Sequence, residues 1–204
     1  MKQLTLILIT IITLVSCGKD EPISKDCGLI ENPLNFNSES TIIPLNSQNF
    51  WVYTDSLWEN GNFKSEKSTL LKIETVYDLE GMTALEFTSI LPLLTIKGDT
   101  LFSTRYTPEQ ALPNCFELYY PMFFATTDTV QVDNNPSNKF VFRSTIPVTT
   151  PTGVYSDNIV FSEEGYFEVI VNEQVGIIKI SFYVNEGINK QKRRTLTLKD
   201  YTLY

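Results

Sequence analysis

From residue 49 to residue 204, no apolar pattern keeps a 3.6-residue period over ten positions. Short alternating runs follow one another instead, each closed by Gly, Pro, Asn or Asp. In NFWVYTDSLWE (49–59), Trp51, Tyr53 and Leu57 share one parity, and Phe50 and Val52 the other. In STLLKIETVYDL (68–79), Leu71, Ile73, Thr75 and Tyr77 fall on one face, and Lys72 and Glu74 on the other. Because successive strand residues point to opposite sides of a sheet, this period of two is the mark of half-buried strands. Turn signals sit between the runs: Asn60-Gly61, the LEGM stretch at 79–82, and Gly98-Asp99. Later runs are FELYYPMFF, KFVFRSTI, GVYSDNIVFS, GYFEVIVN, VGIIKISFYVN and RRTLTLKDYTLY. Strands recurring every ~8–12 residues predict an all-β fold. The expectation is a single antiparallel β domain of roughly ten to twelve strands, as a curved sheet, half-barrel or sandwich. At most one helical turn is expected, over TPEQAL (107–112), with Thr107 as cap and Pro108 at the first helical position. Strands do not alternate with helices, which excludes a Rossmann or α/β-barrel enzyme.

Composition narrows the chemistry. The 204 residues carry 24 acidic and 16 basic side chains, a net charge of −8. Such a surface repels phosphate backbones, so no nucleic-acid partner is expected. Histidine is absent. That removes His-based triads, His metal ligands and the usual near-neutral general base. Cys27 and Cys115 without histidine leave too few soft ligands for a metal site, and no cofactor is expected. There is no glycine-rich phosphate cradle and no Gly-x-Ser-x-Gly elbow, and DNNPSN (133–138) lacks calcium-loop spacing.

The N-terminus reads as an address. Met1-Lys2-Gln3 precedes an apolar run over residues 4–15 broken only by threonines. That run is too short to span a bilayer and has the length of a signal-peptide core. Leu14-Val15-Ser16-Cys17 resembles the bacterial lipobox, whose cysteine is diacylglycerated, becomes the new N-terminus and is acylated. The resemblance implies a signal peptide over 1–16, a lipidated N-terminus and tether over 17–40, and a β domain over 41–204. Several acyl chains on Cys17 would make a firm anchor, since each buried CH₂ contributes ~0.8 kcal/mol. Lys19, Asp20 and Glu21 resemble the flank that sends lipoproteins of the Bacteroidota to the outer face of the outer membrane. The expected location is therefore the outer membrane, lipid-anchored and facing outward. Once Cys17 is given to lipid, Cys27 and Cys115 remain as an even pair in an oxidising compartment. A disulfide between them is expected, closing a loop worth ~4 to 5 kcal/mol on the chain-entropy model.

The β region carries a second resemblance. IIPLNSQNFWVYTD (42–55) is similar to the first strand of many Bacteroidota lipoproteins, with Gln48 where glycine is usual. VTTPTGVYSDNIVFSE (148–163) and VNEQVGIIKISFYVNEG (171–187) resemble a later turn and strand of the same proteins. The family implied is outer-membrane lipoproteins of unknown function. It supports the β reading and supplies no catalytic residues.

Two clusters are candidates for a binding surface. Tyr119 and Tyr120 sit beside Pro121, Phe123 and Phe124, and Trp51, Tyr53 and Trp58 gather near the first hairpin. Aromatic faces stack on sugars or cradle acyl chains, but sheets of this size also bury most of their aromatics. NKQKRR (189–194), with Lys192, Arg193 and Arg194, puts four cations into six residues at a hairpin tip. It reads either as a contact for lipid phosphates or acidic glycans, or as a solvated tip that discourages edge pairing. The carboxylates are scattered, with Glu163-Glu164 and Asp78–Glu80 at turns. The function expected is a non-catalytic surface binding or accessory module for a protein or glycan partner, acting as a monomer. Two other readings stand beside it: a carrier of an apolar ligand or lipid in a half-barrel, and a carboxylate-dependent hydrolase needing two close acids in a cleft.

Overall fold

A computed structural model describes residues 29–30, 37–38, 42–79, 82–106, 116–132, 139–186 and 189–204. The long elements come in two groups. The first is β4 (Phe50–Glu59), β5 (Asn62–Leu79), β6 (Met82–Phe87), β7 (Leu93–Lys97), β8 (Thr100–Tyr106) and β9 (Phe116–Phe123). The second is β11 (Lys139–Ser144), β14 (Asn158–Glu163), β15 (Phe167–Asn172), β16 (Gly176–Glu186) and β17 (Asn189–Thr202). Short pieces complete the set: β1 (Leu29–Ile30), β2 (Asn37–Ser38), β3 (Leu45–Asn46), β10 (Val130–Gln131), β12 (Val148–Thr150) and β13 (Gly153–Tyr155). All pairings are antiparallel. No helix occurs among the described residues.

The chain is thus an all-β protein, as the alternation predicts. Its main sheet runs in one path of twelve strands, β10-β11-β14-β15-β16-β17-β4-β5-β6-β7-β8-β9, with β1 attached to β5. The path does not close into a barrel. Instead it bends at β5, whose first half pairs with β4 up to Lys72 and whose second half pairs with β6 from Ile73. The bend brings β9 against β14, where the Phe123 and Phe161 rings meet edge-on at 6.5 Å. Beyond the bend β4 no longer covers the edge of β5, and Leu29–Ile30 pair there with Tyr77 and Val76. Asn37–Ser38 pair with β3. Four residues of the stretch expected to be a tether, 17–40, therefore join sheets. Cys17, Lys19, Asp20, Glu21, Cys27 and Cys115, and the helical turn expected over 107–112, lie outside the described residues.

The bend also explains where alternation misleads. Ile73 pairs with Phe87 and Thr75 with Glu86, so Glu74 is an extra residue in β5. Such a bulge reverses the facing of everything after it. Leu71 and Ile73 are buried as expected, but beyond Glu74 it is Val76 that enters the core, while Thr75 and Tyr77 are only half-buried.

The core lies between the two arms of the folded sheet. Leu85, Leu94, Leu101, Met122 and Phe123 face it from one arm, and Val141, Ile159, Phe161, Val169, Ile180 and Leu196 from the other. Trp51 and Tyr53, fully buried on β4, find partners for their polar atoms in the β15–β16 turn and β16. The indole Nε1 donates to the Val175 carbonyl at 2.6 Å, and the Tyr53 hydroxyl to the Ile177 carbonyl at 2.8 Å. Burial pushes the Tyr53 phenol well above its usual ionisation range. At the end where the chain enters β4, buried Asn49 donates to the Pro44 carbonyl and accepts from the backbone N–H of Tyr204. The segment leading into the domain and its last residue are thereby tied at one end of β4.

Candidate functional site

The opposite end of β4 carries the hairpins. Asn60 and Gly61 close β4 to β5 with φ of 50° and 75°, the left-handed pair that an Asn-Gly turn supplies. Two bulges follow within a few residues. On β5, Trp58 pairs with Phe63 and Leu57 with Ser65, which leaves Lys64 as the extra residue. On β17, Tyr183 of β16 pairs with Lys192 and Phe182 with Arg194, which leaves Arg193 as the extra residue. A bulge bends its strand and re-aims the side chain it carries. Here the two bulges lie on the strands flanking β4, and their extra residues, Lys64 and Arg193, line the same space as Trp58.

The result is an open groove of about 460 Å³, whose lining includes Trp58, Glu59, Asn60, Lys64, Lys192 and Arg193. The Lys192 ammonium stands over the Trp58 ring, 5.3 Å from its centroid. Phe63 meets the same ring edge-on at 6.1 Å and is itself 58% exposed. Lys64 pairs with Glu59 at 2.9 Å, both side chains well exposed. Three cations and one carboxylate thus line a groove in a protein of net charge −8.

Of the residues expected in a basic cluster, Lys192 and Arg193 are in the groove and Arg194 is not. Arg194 turns to the inner face and grips Asp55 through two bonds of 2.8 Å. It also lies 5.9 Å from the Phe182 ring, at the end of a row in which Phe182, Phe167, Phe161 and Phe123 follow one another. The Arg194 hydrogen bonds, with a smaller contribution from Thr69, hold the buried Asp55 carboxyl below its usual range. The strand that carries Tyr119 and Tyr120, β9, is the last of the hydrogen-bonded path, remote along it from β17; their side chains lie outside the described residues. Lys64, Phe63 and Glu59 carry no motif in the sequence. Lys64 joins the site as a bulged residue, Glu59 as the last residue of β4 and Phe63 as the partner of Trp58, and Asn60-Gly61 is the signal that would have drawn attention to that hairpin.

A second groove, of about 300 Å³, contains Asp157, Asn172 and Glu173. Its acids are engaged by Arg143, which forms two hydrogen bonds with Asp157 and lies 3.7 Å from Glu173. Those bonds depress the Asp157 carboxyl. A general acid needs its proton held more tightly, the opposite displacement. Among the described residues, no group of three or more metal-ligating side chains comes together. The apolar space bounded by Ile43, Trp51, Leu71, Phe87, Leu91 and Ile177 leaves no room for a water molecule. Comparison with known protein families, curated proteins and solved structures finds no match to this chain.

Proposed function

We propose that this chain is a lipid-anchored protein of the cell envelope whose β domain is a non-catalytic binding module, with the groove around Trp58 as its binding surface for a protein or glycan partner. The observation that carries the reading is the groove itself, in which the Lys192 ammonium stands over the half-buried Trp58 ring and Lys64 and Arg193, the extra residues of two bulges, share the lining. The strands flanking β4 carry further bulges, so it is the place of these two at the hairpin end, with their extra residues in the groove lining, that favours a binding site. The apolar space beside Trp51 and Leu71, too small for a water molecule, favours this reading over a carrier, and arginine-bound Asp55 and Asp157 favour it over a hydrolase.

Anchoring at Cys17, with Lys19, Asp20 and Glu21 directing the protein outward, fits this geometry. The chain enters β4 at Phe50, and Trp58 lies eight residues further along, roughly 26 Å at strand rise. A tether at the entering end leaves the groove at the far end of the strand. Labelled palmitate should mark the wild type and not Cys17→Ala. A count of free thiols on unreduced, unfolded protein should find Cys27 and Cys115 both blocked.

Hydroxyl-radical footprinting tests the binding surface whatever the partner is. On intact cells Trp58 and Phe63 should be oxidised several-fold less than in the isolated chain, with exposed Tyr166 and Tyr204 as references. Equal oxidation in both settings would remove the groove as an occupied surface.

A further inference from the structure

We infer that the groove takes an acidic polysaccharide, whose carboxylate or sulfate groups meet Lys192 and Arg193 while a sugar ring lies against Phe63. This rests on the reading of the groove as the binding surface and names its ligand class.

Charge carries the first part. With 24 acids against 16 bases, most of the surface repels a polyanion. The groove reverses that locally. Its single carboxylate, Glu59, is taken by Lys64, and among the described residues neither Lys192 nor Arg193 forms an ion pair. A polyanion therefore meets two adjacent unpaired cations here, on a protein that is otherwise net acidic.

Positioning carries the second part. Arg193, the extra residue of a bulge, lines the groove, and the Lys192 ammonium is stationed 5.3 Å over Trp58. Cations already in place lose less freedom on binding than free lysines do, and an arginine fork matches a planar carboxylate or a sulfate through paired donors.

Shape and surface carry the third. The space is an open cleft rather than an enclosed cavity, so a segment of polymer can enter it from the side without threading. Asn60 offers amide groups for hydroxyls at its edge. Phe63, whose ring meets the groove's Trp58 edge-on, is largely exposed, the kind of apolar platform on which the C–H face of a sugar stacks.

Calorimetric titration of the full chain in neutral detergent tests the assignment. The probes are polygalacturonate, dextran sulfate, uncharged dextran and phosphatidylglycerol vesicles. At least one acidic polymer should bind, more weakly as salt rises, and dextran should not. Lys192→Glu/Arg193→Glu should weaken that binding by about tenfold or more, and Lys192→Gln/Arg193→Gln should do so less. The charge-matched variant Lys72→Glu/Lys97→Glu, on exposed sites outside the groove, should stay within about threefold of wild type. If neither acidic polymer binds, or if the control weakens binding as much as the groove variant, the assignment is wrong. Vesicle capture that depends on the groove and exceeds polymer binding would make the ligand a lipid headgroup and also overturn it. A neutral glycan or a protein lost only in the groove variant would overturn the acidic ligand and leave the binding surface standing. Groove variants that behave as wild type toward every probe, with equal footprints in cells and in isolation, would remove both.

Discussion

Arg194 holds Asp55 through two parallel hydrogen bonds, Nε to one carboxylate oxygen and Nη2 to the other, each 2.8 Å. Asp55 is wholly buried and follows Trp51 and Tyr53 on the inward face of β4. Arg194 retains 32% of its side-chain exposure, so the pair stands at the margin of the core. Thr69 donates a further hydrogen bond to Asp55 at 3.0 Å, and Lys67 lies 3.8 Å away. The pair therefore closes the hairpin end of the core, and its arginine is spent there while its neighbour Arg193 is free for the groove.

Removing only the arginine strands a buried carboxylate. Arg194→Met should cost about 3 kcal/mol, the lower end of the range for breaking a buried pair, because Arg194 is partly solvated. Asp55→Leu/Arg194→Met should recover a large part of that loss, since neither charge is then left alone. Urea unfolding of the three proteins measures both values, and a double variant less stable than the single would contradict this account of the pair.

The same pair sets a pH dependence. Asp55 ionises below its ordinary value of 3.8, so its contribution is fully present above that value and fades as pH falls through the lowered one. In Arg194→Met, burial without the guanidinium moves the Asp55 carboxyl upward instead. The stability gap between wild type and Arg194→Met should thus be widest near neutrality, begin to narrow above pH ~4 as the variant's raised carboxyl takes up its proton, and go on narrowing as pH falls through the wild type's lowered value. Unfolding curves at a series of pH values would show it, and a gap that stays constant down to acid pH would place the effect elsewhere.

Two glycines with left-handed φ should respond differently to alanine. At Gly61 a methyl group meets no atom within 4 Å, so Gly61→Ala should cost only the backbone strain, about 1 kcal/mol. At Gly176, φ is 89° and a Cβ would stand 3.2 Å from Trp51 Nε1 and 3.4 Å from Ile43. Gly176→Ala should cost about 2–3 kcal/mol, because strain is joined by displacement of the indole that bonds the Val175 carbonyl. Thermal or urea unfolding ranks the two, and equal losses would mean that Trp51 yields freely.

The period-two alternation made the all-β class readable, and the Asn60-Gly61 and Gly98-Asp99 turns marked hairpins that the structure contains. What alternation cannot show is an extra residue in a strand, because a bulge is defined by the partner strand. Glu74, Lys64 and Arg193 are all of this kind. The first reverses the facing of β5, and the other two assemble the groove. The basic run at 189–194 was visible, but its division was not: Arg193 and Arg194 are adjacent letters with separate duties, decided by the register of β16 against β17. Trp58 was likewise visible as an aromatic beside Trp51 and Tyr53. Only the hairpin end shows that two of the three are core and the third is surface.

The chain has two tryptophans, and the fold separates them: Trp51 is locked in the core and Trp58 lines the groove. Their indole N–H signals in a ¹⁵N-labelled protein, assigned with Trp58→Phe, report on ligand binding at the groove directly. Addition of an acidic oligosaccharide such as oligogalacturonate should shift the Trp58 signal in a saturable, salt-sensitive way and leave the Trp51 signal in place. A Trp58 signal unmoved at saturating ligand, or a Trp51 signal that moves as far, would contradict binding at the groove.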